Sequence, residues 1–195
     1  VGVNNNLSYI GLTSLLQEAA TLHADALGYG LSNIDKTNLT WLLLSWKIEM
    51  LSNPKWNTKI TVKTWPRKMA RIYSYRDFEV YDDLGNLIAI ASSKWVLINV
   101  SSHSIAKITP EICKSFNLID KAVFDNCDES TLKDPEDSIL TFEYKIGRRD
   151  MDSNNHVNNL CYLDFALESL PENVYTNNFK DIEKNDIRDF FSSLN

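Results

Sequence analysis

One long apolar helix followed by four long alternating runs leaves few folds open to this chain. Residues 7–27, "LSYIGLTSLLQEAATLHADAL", repeat apolar side chains at three- and four-residue intervals. Asn6 or Ser8 can cap the start, and "LGYG" supplies a stop. Leu12, Leu15, Leu16, Ala19, Ala20 and Leu22 make a wide apolar face, which predicts a helix buried on most sides. Four β-leaning runs follow: Trp41–Met50, Thr58–Trp65, Arg71–Asp82 and Leu87–Val100. In the second, Ile60, Val62 and Thr64 share one face. Between the last two, "DDLGN" carries the Asp and Gly of a hairpin turn. A helix and about four antiparallel strands predict a curved sheet wrapped around the helix.

Residues 109–138 change character. "TPEICKSFNLID" suits a short helix, and "DNCDESTLKDPEDS" is acidic and rich in turn formers, so the segment reads as a linker over the surface. A strand-like run, "ILTFEYKIG" (139–147), comes next. A second apolar helix is predicted from about Val157 to Leu170, ended by Pro171. Its start echoes the first. "NNLSYI" (Asn5–Ile10) and "NNLCYL" (Asn158–Leu163) share four of six residues at a shift of 153. Both fall at the start of a long apolar helix, which points to a tandem duplication. Only residues 172–195 follow Pro171, too few for a second sheet of equal size, so the chain is expected to be a fragment.

The net charge of −6 offers no basic excess to neutralise phosphates and argues against a nucleic-acid binder. It leaves room for a local basic patch, densest in "PRKMAR" (Pro66–Arg71). No apolar run is long enough to span a bilayer and no signal segment is visible, so the expected compartment is the cytosol and no membrane partner is expected. Cys113, Cys127 and Cys161 show no paired spacing, which predicts free thiols in place of disulfides or a zinc site.

The densest chemistry precedes the second helix. "RRDMDSNNHVNN" crowds Asp150, Asp152, Asn154, Asn155, His156, Asn158 and Asn159 together. A helix N-terminus presents unpaired N–H groups and the positive end of the macrodipole, a good place for developing negative charge. His156 titrates near neutrality, Asp152 lies four positions before it, and Asn154 offers both a donor and an acceptor. Such a set can orient a carbonyl, position a water and move a proton. A thioester suits so sparse a kit, because its thiol leaving group, with a pKa of roughly 8.5, departs without a strong general acid. Capping alone would also select Asp, Asn and Ser before a helix. A Cys161 nucleophile with His156 as base is the rival. Five positions along a helix turn about 500°, leaving the pair roughly 140° apart. Too few ligands gather here for a metal, and no cofactor is called for. His23 reads as structural and His103 as solvated.

"DMDSNNHVNNLCYLDFALESLP" resembles the acyl-carrier-protein (ACP) thioesterase family, bacterial type, whose members carry D-x-N-x-H-V-N-N, then Y, then E-S-x-P. Here these are Asp152, Asn154, His156, Val157, Asn158, Asn159, Tyr162, Glu168, Ser169 and Pro171. "LSYIGLTSLLQEAATLHADALGYG", "TKITVKTWPR", "RDFEVYDDLGN" and "SSKWVLIN" resemble the family's N-terminal repeat. The resemblance implies an α+β chain of two tandem hotdog folds, the second incomplete here. Residues 1–108 would be a non-catalytic repeat that shapes the acyl pocket, 109–138 a linker, and 139–195 the partial catalytic repeat. It implies hydrolysis of acyl-ACP to free fatty acid, with Asp152, Asn154 and His156 catalytic and an acyl-loaded ACP as partner. The family's fourth group, an acid or cysteine about 34 residues past the histidine, would fall near Phe190; Asp186 and Asp189 are close but do not fit the pattern. Because ACP is acidic, "PRKMAR" is a candidate docking patch. Trp41, Trp46, Trp65 and Trp95 are pocket or plain core. Two fused repeats would make a monomeric pseudo-dimer or, paired again, a homodimer. A coenzyme A thioesterase and a non-catalytic acyl-binding module remain the alternatives.

Overall fold

The computed structural model describes residues 5–125, 143–151, 157 and 159–169. The chain divides into two compact units, Val1–Cys127 and Asp128–Asn195.

In the first unit, helix α1 (Tyr9–Ala26) starts where Ser8 caps it, the Ser8 hydroxyl accepting from Gly11 N at 3.1 Å. It ends where Gly28 takes a positive φ of 82° that a side chain would oppose. A 3₁₀ turn (Leu31–Asn33) and the short helix α2 (Ile34–Thr37) lead into strand β1 (Leu39–Met50). Strands β2 (Thr61–Ala70), β3 (Tyr73–Tyr81) and β4 (Leu87–Asn99) follow, then the short β5 (Ser104–Ile105) and helix α3 (Pro110–Phe116). The sheet is antiparallel in the order β1-β4-β3-β2, with β5 on β4. The predicted hairpin joins β3 to β4. Asp82 Oδ1 accepts from Leu84 N and Asn86 N at 3.0 and 2.8 Å, and Gly85 supplies the positive φ.

Helix α1 lies on one face of this sheet. Leu12, Leu16, Ala20 and Ala24, spaced by four, are buried in one stripe against Phe78, Val80, Ala91, Trp95 and Leu97. Contrary to the expectation of a helix buried on most sides, Leu22 is 60% exposed. It lies about 200° round the helix from Ala20. One sheet face covers one stripe and no more.

Strand β1 contains a feature that a strict two-residue alternation hides. Trp41 and Leu43 pack on the core, and so do Trp46, Ile48 and Met50. The change from odd to even positions occurs where the register slips between Leu43 and Ser45. Leu44 is the extra residue, and it is 47% exposed. Strand β2 has a second irregularity between Pro66 and Lys68, on the sheet's edge, where a residue without an N–H costs no ladder bond.

The stretch read as a surface linker begins inside this unit's core. Thr109 caps α3, with Ile112 N donating to its hydroxyl at 3.4 Å. Ile112 and Phe116 are buried with Ala24 and Leu97. Residues 119–124 then cross the far face of the sheet. Ile119 N donates to Pro66 O at 3.0 Å, Trp65 Nε1 to Lys121 O at 2.8 Å, and Val123 N to Asp77 Oδ2 at 3.1 Å. Both segments are held because they cover apolar and polar groups that the sheet leaves open.

In the second unit a 3₁₀ turn, Arg148–Asp150, precedes helix α4 (Asn159–Glu168), on which Phe165 and Leu167 are buried. The expected strand 139–147 is absent from its described part, 143–147, where Tyr144 instead turns onto α4. "FKDIEKNDIRDFF" lies outside the described residues. At the shift of 153 the two helix starts are offset. The cap Ser8 corresponds to Cys161, which is already inside α4, so α4 begins three residues earlier than α1 would predict.

Leu16→Ala should lower the unfolding free energy by about 2–5 kcal/mol, and Leu22→Ala should change it by less than about 0.5 kcal/mol. Urea titration of both variants checks this.

Candidate active site and first-unit cleft

Asp152, Asn154 and His156 lie outside the described residues, as do Asp186, Asp189 and Phe190. The structure gives the frame that borders the first three. Met151 and Val157 pair as an antiparallel bridge two residues ahead of α4. Immediately before them Asp150 is 5% exposed, and its carboxylate is saturated. It accepts from Gly147 N at 2.6 Å and Tyr144 Oη at 3.2 Å, with Arg149 Nε 3.5 Å away. Arg149 also donates to Tyr144 Oη at 3.2 Å, and the Tyr144 ring stacks on Phe165 with centroids 4.3 Å apart. Asp150 thus ties the turn, Tyr144 and α4 together. It is an anchor and not a free base.

Cys161 faces the same turn. Its thiol donates to Asp150 O at 3.7 Å. Burial first, and then the negative charges of Asp150 and Asp164, push its pKa up. A protonated, hydrogen-bonded thiol is a poor nucleophile, which disfavours the Cys161 rival on electrostatic grounds.

The first unit holds a cleft of about 130 Å³ between α1 and the sheet, lined among others by Gln17, Trp41, Ser74, Arg76, Trp95 and Phe116. Of the four tryptophans read as pocket or core, Trp41 and Trp95 line it; Trp46 packs on Phe78, and Trp65 lies on the sheet's other face. Gly30 lines it too, where a Cβ would stand 2.5 Å from Asp25 N. Arg76 is the unexpected member. It sits on β3 in the same phase as Phe78 and Val80, facing the core, and is 4% exposed. Its Nη1 donates to Thr64 Oγ1 at 3.1 Å and its Nη2 to His23 Nδ1 at 3.0 Å. A guanidinium only donates, so His23 accepts on Nδ1 and carries its proton on Nε2. Burial, and then the Arg76 charge, lower the His23 pKa. The sequence contained a signal for Arg76: in "YSYRDFEV" its phase matches the core-facing residues of the strand.

The candidate docking patch is smaller than its sequence suggests. Arg67 is mostly buried, its Nε 3.4 Å from Asp77 Oδ2, an ion contact whose geometry falls short of a hydrogen bond. Lys68 and Arg71 remain exposed. Among the described residues no His, Cys, Asp and Glu cluster could hold a metal, and no helix is long and apolar enough to cross a membrane.

Residues 1–116 match the acyl-ACP thioesterase N-terminal domain family, and residues 133–184 the acyl-ACP thioesterase C-terminal domain family. Oleoyl-acyl carrier protein thioesterase 2, chloroplastic, of Arabidopsis thaliana is 28% identical over 191 residues, covering 89% of this chain and 52% of that protein. The crystal structure of an acyl-ACP thioesterase from Bacteroides thetaiotaomicron superposes with a TM-score of 0.80 at 26% identity, covering 91% of this chain and 71% of that one. The 12:0-ACP thioesterase from Umbellularia californica superposes with a TM-score of 0.74 at 24% identity, over 90% and 72% of the two chains, a likeness of fold. The chain spans about half the length of the curated relatives it matches.

His23 is neutral in the fold below the pH at which it would be neutral when unfolded, so the unfolded state takes up its proton first as pH falls. Stability is therefore unaffected above the unfolded pKa near 6.5 and is lost as pH drops from there through the lower folded value. Urea midpoints at pH 7.5 and 5 should differ less in His23→Gln, which keeps an acceptor for Arg76, than in the parent chain.

Proposed function

We propose, because this chain belongs to the acyl-ACP thioesterase family, that it hydrolyses the thioester of acyl-ACP to free fatty acid. The observation that supports this reading is the match of both halves of the chain to that family. Asp152, Asn154 and His156 lie in the sequence between Met151 and Val157, ahead of α4.

In this mechanism His156 takes a proton from water as the water attacks the thioester carbonyl. Asn154 orients the reacting groups by hydrogen bonding, and Asp152 orients His156 and stabilises its imidazolium. The tetrahedral oxyanion forms near the positive end of α4. Its collapse breaks the C–S bond and expels the carrier's thiol as a thiolate, with a pKa of roughly 8.5, and His156 can return its proton. Residues 139–195 supply this chemistry, and the first unit, into which residues 109–124 pack, shapes the acyl pocket. Lys68 and Arg71 support docking of an acidic carrier protein. The free thiols of Cys113 and Cys161 suit a reducing, cytoplasmic setting.

His156→Ala should reduce release of free fatty acid from acyl-ACP by roughly 10²–10⁴-fold with an unchanged circular dichroism spectrum. Turnover at the parent rate would refute the mechanism. Cys161→Ser should keep most of the activity, since the thiol takes no part in the attack. Loss of turnover in that folded variant would restore the cysteine nucleophile.

A further inference from the structure

The cleft of the first unit combines two features that an ordinary apolar core avoids. The first is a buried cation without a counter-ion among the described residues. Arg76 is 4% exposed, yet its two hydrogen bonds go to neutral acceptors, Thr64 Oγ1 and His23 Nδ1. Its sequence neighbour Asp77 faces the other side of the sheet. There the Asp77 carboxylate accepts from Ser92 Oγ at 2.7 Å and Val123 N at 3.1 Å and meets Arg67 Nε at 3.4 Å. Burial pulls the Arg76 pKa down to about 10, which still leaves it charged at neutral pH. A buried guanidinium with N–H groups to spare is expensive unless something accepts from them.

The second feature is a set of unmatched polar atoms on the same walls. Trp41 Nε1 is buried with no partner among the described residues, and indole can only donate. Gln17 Oε1 is likewise buried without a partner among those residues, and a turn of its amide would present an N–H₂ instead. Arg76, Trp41 and Gln17 all line the one cleft. The remaining walls mix apolar side chains, Ala20, Trp95 and Phe116 among them, with the polar Thr21, Thr40 and Ser74. At about 130 Å³ the space is close to the ~150 Å³ engineered cavity that admits benzene, so it holds about six heavy atoms of a ligand and its open mouth leaves room for the rest of a short chain. Donors on Arg76 and Trp41, and on Gln17 with its amide turned, share these walls with Trp95 and Phe116 and match a planar anion on a short hydrocarbon.

We propose that this cleft binds a carboxylate on a short aliphatic chain, with Arg76 as its counter-ion and Trp41 and Gln17 as further donors. The carboxylate is either a free short-chain acid or the far end of a bound acyl chain; the second source rests on the thioesterase reading. Arg76 and the indole N–H then find the acceptors that the described residues do not provide, and the hydrocarbon lies along Trp95 and Phe116.

The test is calorimetric titration of the full chain with hexanoate, 1-hexanol and hexylamine. Hexanoate should bind at least ten-fold more tightly than the other two. Absence of hexanoate binding, or equal affinity for the alcohol, would overturn the proposal. Arg76→Gln should weaken hexanoate at least ten-fold, with Arg76→Lys recovering part of the loss. Should Arg76→Gln fail to fold, Trp41→Phe keeps the ring and removes the donor. It should weaken hexanoate about three-fold or more and leave hexanol unchanged; an unchanged hexanoate affinity there counts against the site. Kinetics separate the two sources. A lower KM for the ACP thioester of adipate than for that of hexanoate assigns the carboxylate to the chain end. Equal KM values with hexanoate binding assign it to a free acid. Because hexanoate binding is read without turnover, absence of hydrolysis would count against the thioesterase reading alone.

Discussion

Strand β3 places Arg76 and Asp77 side by side in sequence and on opposite faces of the sheet, and both are buried. Much of the first unit is organised by that opposition. On the helix side, Arg76 joins α1 through His23 and β2 through Thr64. On the far side, Asp77 joins β4 through Ser92, the β2 bulge through Arg67 and the 119–124 segment through Val123. Removing a buried carboxylate of this kind leaves its cation unpaired, typically a loss of 3–5 kcal/mol. The two residues therefore hold four elements in register from one strand. They do so with unequal satisfaction, since among the described residues the Asp77 carboxylate has two donors and a cation while Arg76 has two neutral acceptors.

That inequality follows from what covers each face. The far face is closed by the chain itself: residues 119–124 cross it, Trp65 donates to Lys121 O, and Lys47 sits over the Phe124 ring at 4.3 Å. The near face is closed by α1 along a single stripe, and the gap beside that stripe becomes the cleft. Helix α3 narrows the gap without filling it. Phe116 meets Trp41 edge-on with centroids 5.8 Å apart and His23 in the same manner at 5.9 Å. A helix with a wider buried face would have filled the space that Arg76 now borders.

The second unit separates holding from reacting. Asp150 belongs to the same polar run as the proposed catalytic residues, yet its carboxylate is spent on Gly147, Tyr144 and Arg149. Its backbone carbonyl receives the Cys161 thiol. The crowding of acids and amides before α4 thus has two physical causes. One is a turn that must be tied down through Asp150, and the other, in the proposed mechanism, is proton transfer through Asp152, Asn154 and His156. The offset of α4 against α1 has a related meaning, because a serine caps the first helix where the second already carries its cysteine inside.

Local chemistry was readable from the chain alone. Ser8 caps α1 and Gly28 ends it, Asp82 and Gly85 make the hairpin, and Ile60, Val62 and Thr64 share a face as the alternation predicts, because each depends on neighbours within a few residues. The run from Asp152 to Pro171 identified the family for the same reason: a motif is a local pattern. What only the tertiary structure decided are the features that depend on which surface meets which. The bulge at Leu44 changes the phase of β1 and so brings Trp41 and Trp46 to one side. Leu22 is left in water because a single sheet face reaches a single stripe of α1. Residues 110–124 become part of a core instead of a free linker, and Arg76 becomes a buried cation beside a cleft. Each of these turns on long-range burial. The free energy of burial belongs to pairs of surfaces brought together by the fold, and a residue's own sequence neighbourhood does not contain its partner.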